Sequence, residues 1–219
     1  MLQWIESYAA ELEAIGSEPP PAPRWNQDWF PRLDAAAAYA MVRTVKPRRI
    51  VEVGSGHSTR FLARAVADGG LDTRISAIDP KPRASLAGLD IEWIAAPVQR
   101  VAAFPALGES DILFIDSSHQ LKPGSDVDFL LNAVLPLLPQ GVRVHFHDIF
   151  LPDDYPEHWA WRRYNEQPAV SALIKKNFLR VDFSSHATVK FHPEKIQGVL
   201  ARVPLLPGAI ESSLWLTRN

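Results

Sequence analysis

Short apolar runs alternate with helical patterns along most of the chain after Pro47. Runs rich in β-branched and aromatic residues predict five strands, at residues 50–53, 74–79, 91–94, 111–116 and 142–146. The intervening residues 57–68, 82–88 and 125–138 favour helices, of which the middle one is short. This alternation is typical of a parallel sheet with right-handed crossovers and helices on both faces. An α/β fold of this kind binds its ligand at the carboxyl ends of its strands.

Residues 1–46 precede this alternating region and have a different character. A first helix that ends near Gly16 is predicted by apolar residues at helical spacing: Ile5, Tyr8, Leu12 and Ile15. Residues 17–33 contain five prolines and three large aromatic residues, which predicts an ordered arm without regular secondary structure. Asp34 is a plausible N-cap for an Ala-rich helix that runs to about Val45. We expect residues 1–46 to form a lid over a site or a dimer contact.

The C-terminal third of the chain carries an insertion and further regular elements. Residues 151–168 are polar and aromatic, and they could either wall a ligand pocket or pack over the sheet. Residues 169–176 predict a helix, and residues 179–184 and 213–217 predict strands. Because the chain has no internal repeat and no linker, we expect residues 47–219 to form one domain that includes the insertion.

Composition and charge exclude several classes of protein. The chain has 219 residues, 47% hydrophobic and 22% charged, as in a soluble globular domain. A formal net charge of −2 with scattered basic residues argues against nucleic acid or a membrane surface as a partner. Without a basic signal region or a run of ~18 apolar residues, a cytoplasmic protein is expected. Without cysteine, any metal ion must be held by Asp, Glu, Asn or one of seven histidines.

The turn after the first predicted strand has the chemistry of a cofactor site. Gly54 and Gly56 follow this strand and precede a helix, where glycine allows a sharp turn and close approach of a ligand. A dinucleotide-binding turn requires a third glycine at the position of Thr59. Glu52 suits the ammonium and sulfonium groups of S-adenosylmethionine (SAM), and it would repel the pyrophosphate of NAD. The turn therefore favours SAM over a dinucleotide.

The ends of the next two strands suggest binding sites for a ribose and an adenine ring. Asp79 ends the second strand, where a carboxylate can accept hydrogen bonds from both ribose hydroxyls of SAM or NAD. A solvated aspartate at a strand end is the alternative interpretation. The third strand leads to Val98 and Gln99, which offer an adenine ring an apolar surface and a hydrogen-bonding amide.

Carboxylates and histidines gather at the predicted ends of the fourth and fifth strands. Asp116 and His119 follow the fourth strand, and His147 and Asp148 follow the fifth. Neighbouring parallel strands end side by side, so these residues should share one crevice. Oxygen and imidazole donors there could bind a divalent cation such as Mg²⁺ or Mn²⁺, and His119 could serve as a general base. Alternatively, Asp116 caps its loop and the histidines bond buried backbone groups. His145 should share a strand face with His147, either in the pocket or in the core.

Four motifs in this order resemble those of the class I SAM-dependent methyltransferases: Glu52-Val-Gly-Ser-Gly-His-Ser-Thr, Ile78-Asp-Pro, Phe114-Ile-Asp-Ser-Ser-His and His147-Asp-Ile-Phe-Leu-Pro. More narrowly, they are similar to the bacterial methyltransferase family 24 group, which includes macrolide-sugar and cephamycin-type O-methyltransferases. The resemblance spans residues 48–185 and extends to residues 213–217, which are similar to the family's last strand. It implies a Rossmann-like sandwich with a mostly parallel seven-stranded sheet, an antiparallel last strand and helices on both faces.

The resemblance also implies roles for individual residues. It implies that Glu52, Gly54, Gly56 and Ser58 hold the methionine part of SAM and that Asp79 holds the ribose. Together with the reasoning from the strand ends, the predicted cofactor-binding residues are Glu52, Gly54, Ser55, Gly56, Ser58, Asp79, Pro80, Val98, Gln99 and Asp116. Family members bind Mg²⁺ with the acid at the position of Asp116 and an acidic pair at the next strand end, and a candidate base lies at the position of His119. In this chain the pair is His147 and Asp148, so the predicted metal ligands are Asp116, His147 and Asp148. Imidazole in place of a carboxylate weakens a Mg²⁺ site and favours transition metals.

These expectations combine into one predicted reaction, methylation of a small-molecule hydroxyl by SAM, for example on a sugar or a secondary metabolite. His119 would remove the hydroxyl proton, while Asp116 and Asp148, with or without a cation, would align the oxygen with the methyl group. Two alternatives stay open: a SAM-binding module without catalytic activity, and an NAD-dependent oxidoreductase. A homodimer is also compatible with the sequence.

Overall fold

A seven-stranded sheet forms the centre of the computed structural model, which describes residues 1–219. Its strands are β1 (Arg49–Val53), β2 (Arg74–Ile78), β3 (Glu92–Ile94), β4 (Ile112–Ile115), β5 (Arg143–Phe146), β6 (Leu179–Ser184) and β7 (Leu214–Arg218). Their order across the sheet is β3-β2-β1-β4-β5-β7-β6. Only β7 runs antiparallel to its neighbours, β5 and β6. The expected sheet, mostly parallel with an antiparallel last strand, is therefore confirmed.

Helices precede and connect the strands. They are α1 (Leu2–Ser7), α2 (Ala9–Ala14), α3 (Arg32–Val45), α4 (His57–Asp68), α5 (Asp126–Phe129), α6 (Gln167–Lys175), α7 (Ser185–Phe191) and α8 (Val199–Arg202). α4 crosses from β1 to β2, and α5 lies between β4 and β5. None of these helices is long and apolar enough to cross a membrane.

Alternate residues of the central strands face two separate apolar cores. Ile112 and Phe114 of β4 are buried in a core with α3 and α4. Leu113 and Ile115 point the other way, into a core that includes the helical segment after β4. Because both faces of the sheet are covered, its central strands are mainly apolar, and the buried polar side chains within them, such as Glu52 in β1 and His145 in β5, have hydrogen-bond partners.

The N-terminal segment is packed into the first of these cores. Trp25 of the proline-rich arm donates a hydrogen bond from its indole to the carbonyl of Leu12, at 3.1 Å. Its ring lies against Phe61 of α4, with ring centroids 5.0 Å apart. Phe30, further along the arm, is buried against Phe114 at 5.6 Å. These aromatic contacts hold the arm close to the ends of β1 and β4.

Two helices differ from the sequence prediction at the N-terminus. The first predicted helix is broken at Tyr8, which separates α1 from α2 with φ −116° and ψ 27°. The helix after the arm ends at Val45 as predicted, but it begins at Arg32 with Pro31 as its N-cap residue. Asp34 therefore does not cap this helix, because its buried carboxylate instead accepts backbone hydrogen bonds from Ser212 and Ser213.

Of two further helices predicted between the strands, one is absent and the other is present but irregular. Residues 82–88 form no helix, since the N–H of Arg83 donates instead to the carbonyl of Ser55 in the turn after β1. The predicted helix at 125–138 begins with Ser125 as its cap, but it widens at Leu130–Val134 and tightens at Leu135–Leu137. Pro136 has no N–H to donate within the helix, which accounts for the irregular second half. Conversely, α7 and α8 lie between residues 184 and 213, for which the sequence analysis predicted no regular element.

Candidate active site

Two adjoining hollows lie at the carboxyl ends of the parallel strands. The larger is an open cleft of about 870 Å³, which extends from β1 and β2 to the loop after β4. The smaller is a cavity of about 150 Å³ between the N-terminal arm, the ends of β4 and β5, and residues 159–164. The residues that line both are Trp29, Ser55, Arg83, Asp116 and Ser117. The two hollows therefore meet along these five residues, which include Asp116 at the carboxyl end of β4, at the edge of the sheet that the fold predicts.

The turn after β1 brings its backbone against the end of β4. Gly54 has a φ of +81°, a conformation that glycine adopts without strain. A Cβ atom on Gly54 would lie only 1.8 Å from the carbonyl oxygen of Asp116. Conformation and space both require glycine at this position, and the close approach holds Asp116 beside the cleft.

Glu52 lies beneath this turn and does not line either hollow. Its side chain is completely buried, and its carboxylate accepts hydrogen bonds from the hydroxyls of Ser58 and Thr59, each at 2.6 Å. Burial raises the pKa of Glu52 to about 8, although these two hydroxyls act in the opposite direction. Glu52 thus fixes the first turn of α4, and the direct contact with a cationic ligand that the sequence predicts is not available in this arrangement.

Most of the other predicted cofactor residues line the cleft: Gly54, Ser55, Asp79, Pro80, Val98, Gln99 and Asp116. Asp79 accepts hydrogen bonds from the backbone N–H groups of Ser55 and Lys81, both at 2.7 Å, which hold its carboxylate at the end of β2. Gly56 and Ser58 line the smaller cavity instead. The structure therefore distributes these residues along one continuous surface.

Three carboxylates surround the imidazole of His119. Its Nε2 lies 3.2 Å from Asp116 Oδ1 and 3.6 Å from Asp148 Oδ2. Its Nδ1 lies 2.5 Å from Oε1 of Glu166, in a fully buried contact. Burial alone would lower the pKa of His119, but the facing carboxylates, Glu166 foremost, raise it well above its ordinary value.

His147 occupies a similar position on the other side of the two aspartates. Its Nδ1 lies 3.4 Å from Asp148 Oδ1 and 3.5 Å from Asp116 Oδ1, and its Nε2 lies 3.2 Å from Asp34 Oδ2. Burial again opposes the charged form, yet these carboxylates raise the pKa of His147 well above its ordinary value. The pKa of Asp116, which burial would raise, is held far below its usual range by His147 and His119. The two histidines therefore supply positive charge to the carboxylate cluster.

The predicted metal ligands Asp116, His147 and Asp148 do come together, but their arrangement does not fit a divalent cation. Each nitrogen of His147 faces a carboxylate, so neither is free to coordinate a metal ion. No group of three or more carboxylate and imidazole side chains has the geometry to hold a metal ion. Imidazolium groups take the place of the positive charge that a cation would bring.

His145 belongs to the core and not to either hollow. Its ring is stacked on Phe114, with centroids 3.7 Å apart, and Nε2 lies 2.8 Å from the hydroxyl of Ser213. Burial lowers the pKa of His145 well below its ordinary value, so the ring is neutral. Of the two interpretations that the sequence left open, core packing is the correct one.

The insertion at 151–168 forms one wall of the smaller cavity. Trp159, Arg162 and Tyr164 line it, and the ring of Tyr164 lies 4.5 Å from that of His119. The same segment leads to Glu166, which holds Nδ1 of His119. Residues that wall the cavity and residues that orient the histidine are therefore close neighbours in the sequence.

Two carboxylates of the site were missed by the sequence analysis. Glu166 lies within the insertion but was assigned no role, and Asp34 was interpreted as a helix cap. Both are buried, and each contacts a histidine from a distant part of the chain, at separations of 47 and 113 residues. A buried acid needs a partner, but neither residue lies in a motif that identifies the partner in advance.

Comparisons with known proteins agree with this geometry. Residues 51–149 match the methyltransferase 24 family, described as a methyltransferase domain. No protein of curated function matches the sequence.

Solved structures of several methyltransferases share the fold. PaMTH1 of Podospora anserina, bound to S-adenosylhomocysteine (SAH), is 16% identical, with 100% of this chain and 87% of that chain covered at a TM-score of 0.54. The Bacillus cereus O-methyltransferase in complex with SAH is 14% identical, with coverage of 100% and 90% and a TM-score of 0.53. A Mg–SAM structure of CmcI is 18% identical, with coverage of 77% and 81% and a TM-score of 0.51. Residues 51–149 of this chain thus match a methyltransferase domain, and the chain as a whole has the fold of methyltransferases that bind SAM or SAH.

Proposed function

We propose that this enzyme transfers the methyl group of SAM to a hydroxyl of a small molecule. The observation that carries the proposal is the position of Asp116 and His119. Asp116 lies where the open cleft meets the smaller cavity, and His119 lies directly behind it. A cofactor in the cleft and an acceptor in the cavity would therefore meet at a carboxylate and an imidazole.

The cleft has the surface that SAM requires. Ser55, Gly56 and Ser58 lie around the turn after β1, where they would hold the methionine part. Asp79 would accept hydrogen bonds from the ribose, and Pro80, Val98 and Gln99 would contact the adenine ring. SAH in the B. cereus enzyme and in PaMTH1, and SAM in CmcI, support the same cofactor for this fold.

His119 is proposed as the base that receives the hydroxyl proton, in the fraction of the protein in which its imidazole is neutral. Because the facing carboxylates raise the pKa of His119, this fraction, and with it the rate of methyl transfer, should increase with pH. Glu166 at Nδ1 fixes the ring orientation, which leaves Nε2 turned towards Asp116 and the cavity. Asp116 and Asp148 would orient the hydroxyl oxygen, since their carboxylates lie on either side of Nε2. The group that accepts the proton is then held within hydrogen-bonding reach of the groups that position the oxygen.

The reaction is a direct displacement. Bound SAM supplies an electrophilic methyl group on a sulfonium, and the acceptor oxygen forms the new C–O bond as the C–S bond breaks. The hydroxyl proton passes to Nε2 of His119, and SAH and the methyl ether are the products. The protein contributes mainly alignment and the exclusion of water, for which the buried cluster and the aromatic wall are suited.

No step is assigned to a divalent cation. The CmcI structure contains Mg together with SAM. In this chain His147 replaces the first acid of the expected pair, and its imidazole contacts Asp116, Asp148 and Asp34. We propose that His147 neutralises the aspartates and keeps them in place.

The N-terminal arm is proposed to close the acceptor cavity. Asp28, Trp29 and Phe30 line this cavity, opposite the insertion. Phe30 is buried, whereas Trp29 is 45% exposed and could move without disturbing the core. These positions favour the interpretation of this part of the arm as a lid rather than as a dimer contact.

The test is calorimetric titration of the purified protein with SAH, followed by an assay of methyl transfer in the wild type and in His119→Ala. SAH should bind both proteins with the same affinity, because His119 does not line the cofactor cleft. Methyl transfer should fall by roughly 10²–10⁴-fold in the variant. Absence of SAH binding would overturn the cofactor assignment, and loss of SAH binding only in His119→Ala would exclude the base role.

A further inference from the structure

Two arginines line the acceptor cavity without a carboxylate partner. Arg83 approaches from the cofactor side and Arg162 from the insertion. Neither forms an ion pair, in contrast to Arg32, Arg64 and Arg143, which are each paired with an acid. Arg83 is exposed to solvent, whereas Arg162 is half-buried, and an unpaired positive charge that is partly withdrawn from water is costly unless a ligand compensates for it.

Both guanidinium groups are held in place by aromatic rings. Cζ of Arg83 lies 4.1 Å from the ring centroid of Trp29, and Cζ of Arg162 lies 4.3 Å from that of Trp159. Nη1 of Arg162 also donates a hydrogen bond to the hydroxyl of Tyr164 at 2.9 Å. Stacking of this kind fixes the plane of a guanidinium but leaves its edge free for hydrogen bonds.

Arg162 has most of its hydrogen-bonding capacity unused. A guanidinium has about five N–H donors, and the contact with Tyr164 is the single hydrogen bond that the Arg162 side chain makes. Its Nε is shielded from solvent and has no acceptor. Buried donors are normally satisfied, and a carboxylate can bond two N–H groups of one guanidinium at once.

The acids around the cavity do not supply this partner. Asp116 and Asp148 already contact His119 and His147. Asp28 also lines the cavity, but it is exposed and forms no ion pair. With three carboxylates on the wall, a dianionic phosphate would be repelled more strongly than a monoanionic carboxylate.

Arg162 is better placed than Arg83 to recognise the acceptor. Arg83 lines both hollows, so the carboxylate of the cofactor could pair with it. Arg162 lines only the cavity, where the ring of Tyr164 lies between it and His119. A ligand carboxylate on Arg162 would leave the other end of the same molecule near His119.

The size of the cavity limits the acceptor to a small molecule. Its volume is about 150 Å³, and an apolar cavity of roughly this size can hold one benzene ring. The aromatic walls at Trp29, Trp159 and Tyr164 suit a flat group. Building on the O-methyltransferase function proposed above, we propose that the acceptor is a single-ring hydroxy acid. Its carboxylate binds Arg162, and its hydroxyl faces Asp116 and His119.

The test compares acids with neutral amides of the same shape. The ortho, meta and para hydroxybenzoates and the matching hydroxybenzamides are titrated into the protein saturated with SAH, and methylation of each is assayed with SAM. At least one acid should bind about tenfold more tightly than its amide, as expected for a charge-assisted pair worth about 1.4 kcal/mol. Arg162→Gln should abolish this preference. Arg163→Gln, one residue along in the same loop and not on the cavity wall, should retain it.

Each other outcome is decisive. Equal binding of acids and amides, a preference for acids that persists in Arg162→Gln, or no binding of any of the three acids would overturn the inference. SAH titration separates this failure from failure of the proposed function. If SAH binds and the acids do not, only the acceptor class is wrong, whereas failure of SAH to bind removes the proposed function itself.

Discussion

Glu166 and His119 are 47 residues apart in the chain, yet Oε1 of Glu166 lies 2.5 Å from Nδ1 of His119 in a fully buried contact. The other ring nitrogen of His119 faces Asp116 at 3.2 Å. An imidazole held between two carboxylates has one orientation, and the acid at Nδ1 increases the basicity of Nε2. Glu166 is therefore a positioning residue for the proposed base.

Replacement of Glu166 by Gln should impair methyl transfer without weakening the cofactor site. An amide preserves the shape of the side chain but removes the charge that faces Nδ1. We expect kcat to fall by roughly 10–100-fold, with little change in the affinity for SAH, because Glu166 does not line the cleft. The measurement is steady-state kinetics combined with SAH titration.

Glu157→Gln is the matched control for Glu166→Gln. Glu157 is exposed in the same insertion and does not line either hollow, so its substitution should leave kcat unchanged. The pH profile of kcat should also shift in Glu166→Gln, because the charge at Nδ1 affects the ionisation of the imidazole. An unchanged profile with unchanged kcat would show that Glu166 has no part in positioning the base.

Replacement of Glu52 by Gln should make stability less dependent on pH. The folded protein holds a proton on Glu52 up to about pH 8, because burial raises its pKa from 4.5. The unfolded chain releases this proton near its ordinary pKa, so the free energy of unfolding falls as pH rises from 4.5 to about 8. A glutamine side chain has no proton to lose. The free energy of unfolding of Glu52→Gln should therefore rise relative to that of the wild type by on the order of 1 kcal/mol per pH unit in this window.

Denaturant unfolding at pH 4, 6 and 8 measures this effect. The free energies of unfolding of Glu52→Gln and the wild type should differ least at pH 4, where Glu52 is mostly neutral in both the folded and the unfolded state. Glu109→Gln serves as the control, since the side chain of Glu109 is exposed. If the free energies of unfolding of Glu52→Gln and the wild type differ by the same amount at all three pH values, Glu52 is not protonated in the folded protein.

Metal removal should leave the wild-type enzyme unaffected. Both nitrogens of His147 face carboxylates, so Mg²⁺ would have to displace contacts that already neutralise the aspartates. We expect the rate of methyl transfer to be the same in EDTA and in Mg²⁺ or Mn²⁺. A loss of activity in EDTA that either cation restores would show that the cluster does bind a metal.

The variant His147→Asp should acquire affinity for Mg²⁺. This change removes an imidazole from a cluster that contains Asp34, Asp116 and Asp148, and it adds a further carboxylate. Repulsion between these groups favours a hard divalent cation. Titration of Mg²⁺ should give no heat of binding with the wild type and a measurable one with the variant. His192→Asp, at an exposed histidine outside the cluster, should behave like the wild type.

Gly54→Ala should destabilise the protein and weaken SAH binding. A methyl group at this position would overlap the carbonyl oxygen of Asp116, and alanine disfavours a φ of +81°. Relief of the overlap requires movement of β1 away from β4, so the melting temperature should fall by several degrees. Gly70→Ala is a suitable control. Gly70 also has a positive φ, +54°, but a Cβ there meets no atom within 4 Å. Equal losses in both variants would mean that only backbone conformation matters.

The sequence was sufficient to predict the sheet and the edge at which the site lies. Strands β4 and β5 are short, mainly apolar runs, and Asp116 and His147 follow directly at their carboxyl ends, so the strand pattern together with a parallel topology predicted that these two residues lie side by side. The sequence could not indicate which acids face the two histidines. Glu166 contacts His119 from within the insertion, 47 residues away in the chain, and Asp34 contacts His147 across 113 residues. Contacts of this kind depend on tertiary packing and leave no local pattern.

Local sequence patterns also gave wrong predictions where a side chain bonds residues farther along the chain. Asp34 has the residue type of an N-cap, but in the folded chain its carboxylate bonds the N–H groups of Ser212 and Ser213. Glu52 has the position of a ligand-binding acid, but its carboxylate oxygens accept hydrogen bonds from the hydroxyls of Ser58 and Thr59, six and seven residues further on. In both cases the sequence identified the residue as functionally or structurally important, but only the structure showed which groups it bonds.

The contacts of Asp34 have a consequence for the order in which the enzyme becomes competent. The carboxylate of Asp34 accepts hydrogen bonds from Ser212 and Ser213, which lie immediately before β7, and it also contacts His147. During synthesis, residues 51–149 emerge well before Ser212 and Ser213. The acid and histidine cluster therefore lacks this anchor until Ser212 and Ser213 have been synthesised, so its ordering is completed later than the synthesis of the strands that carry Asp116 and His147.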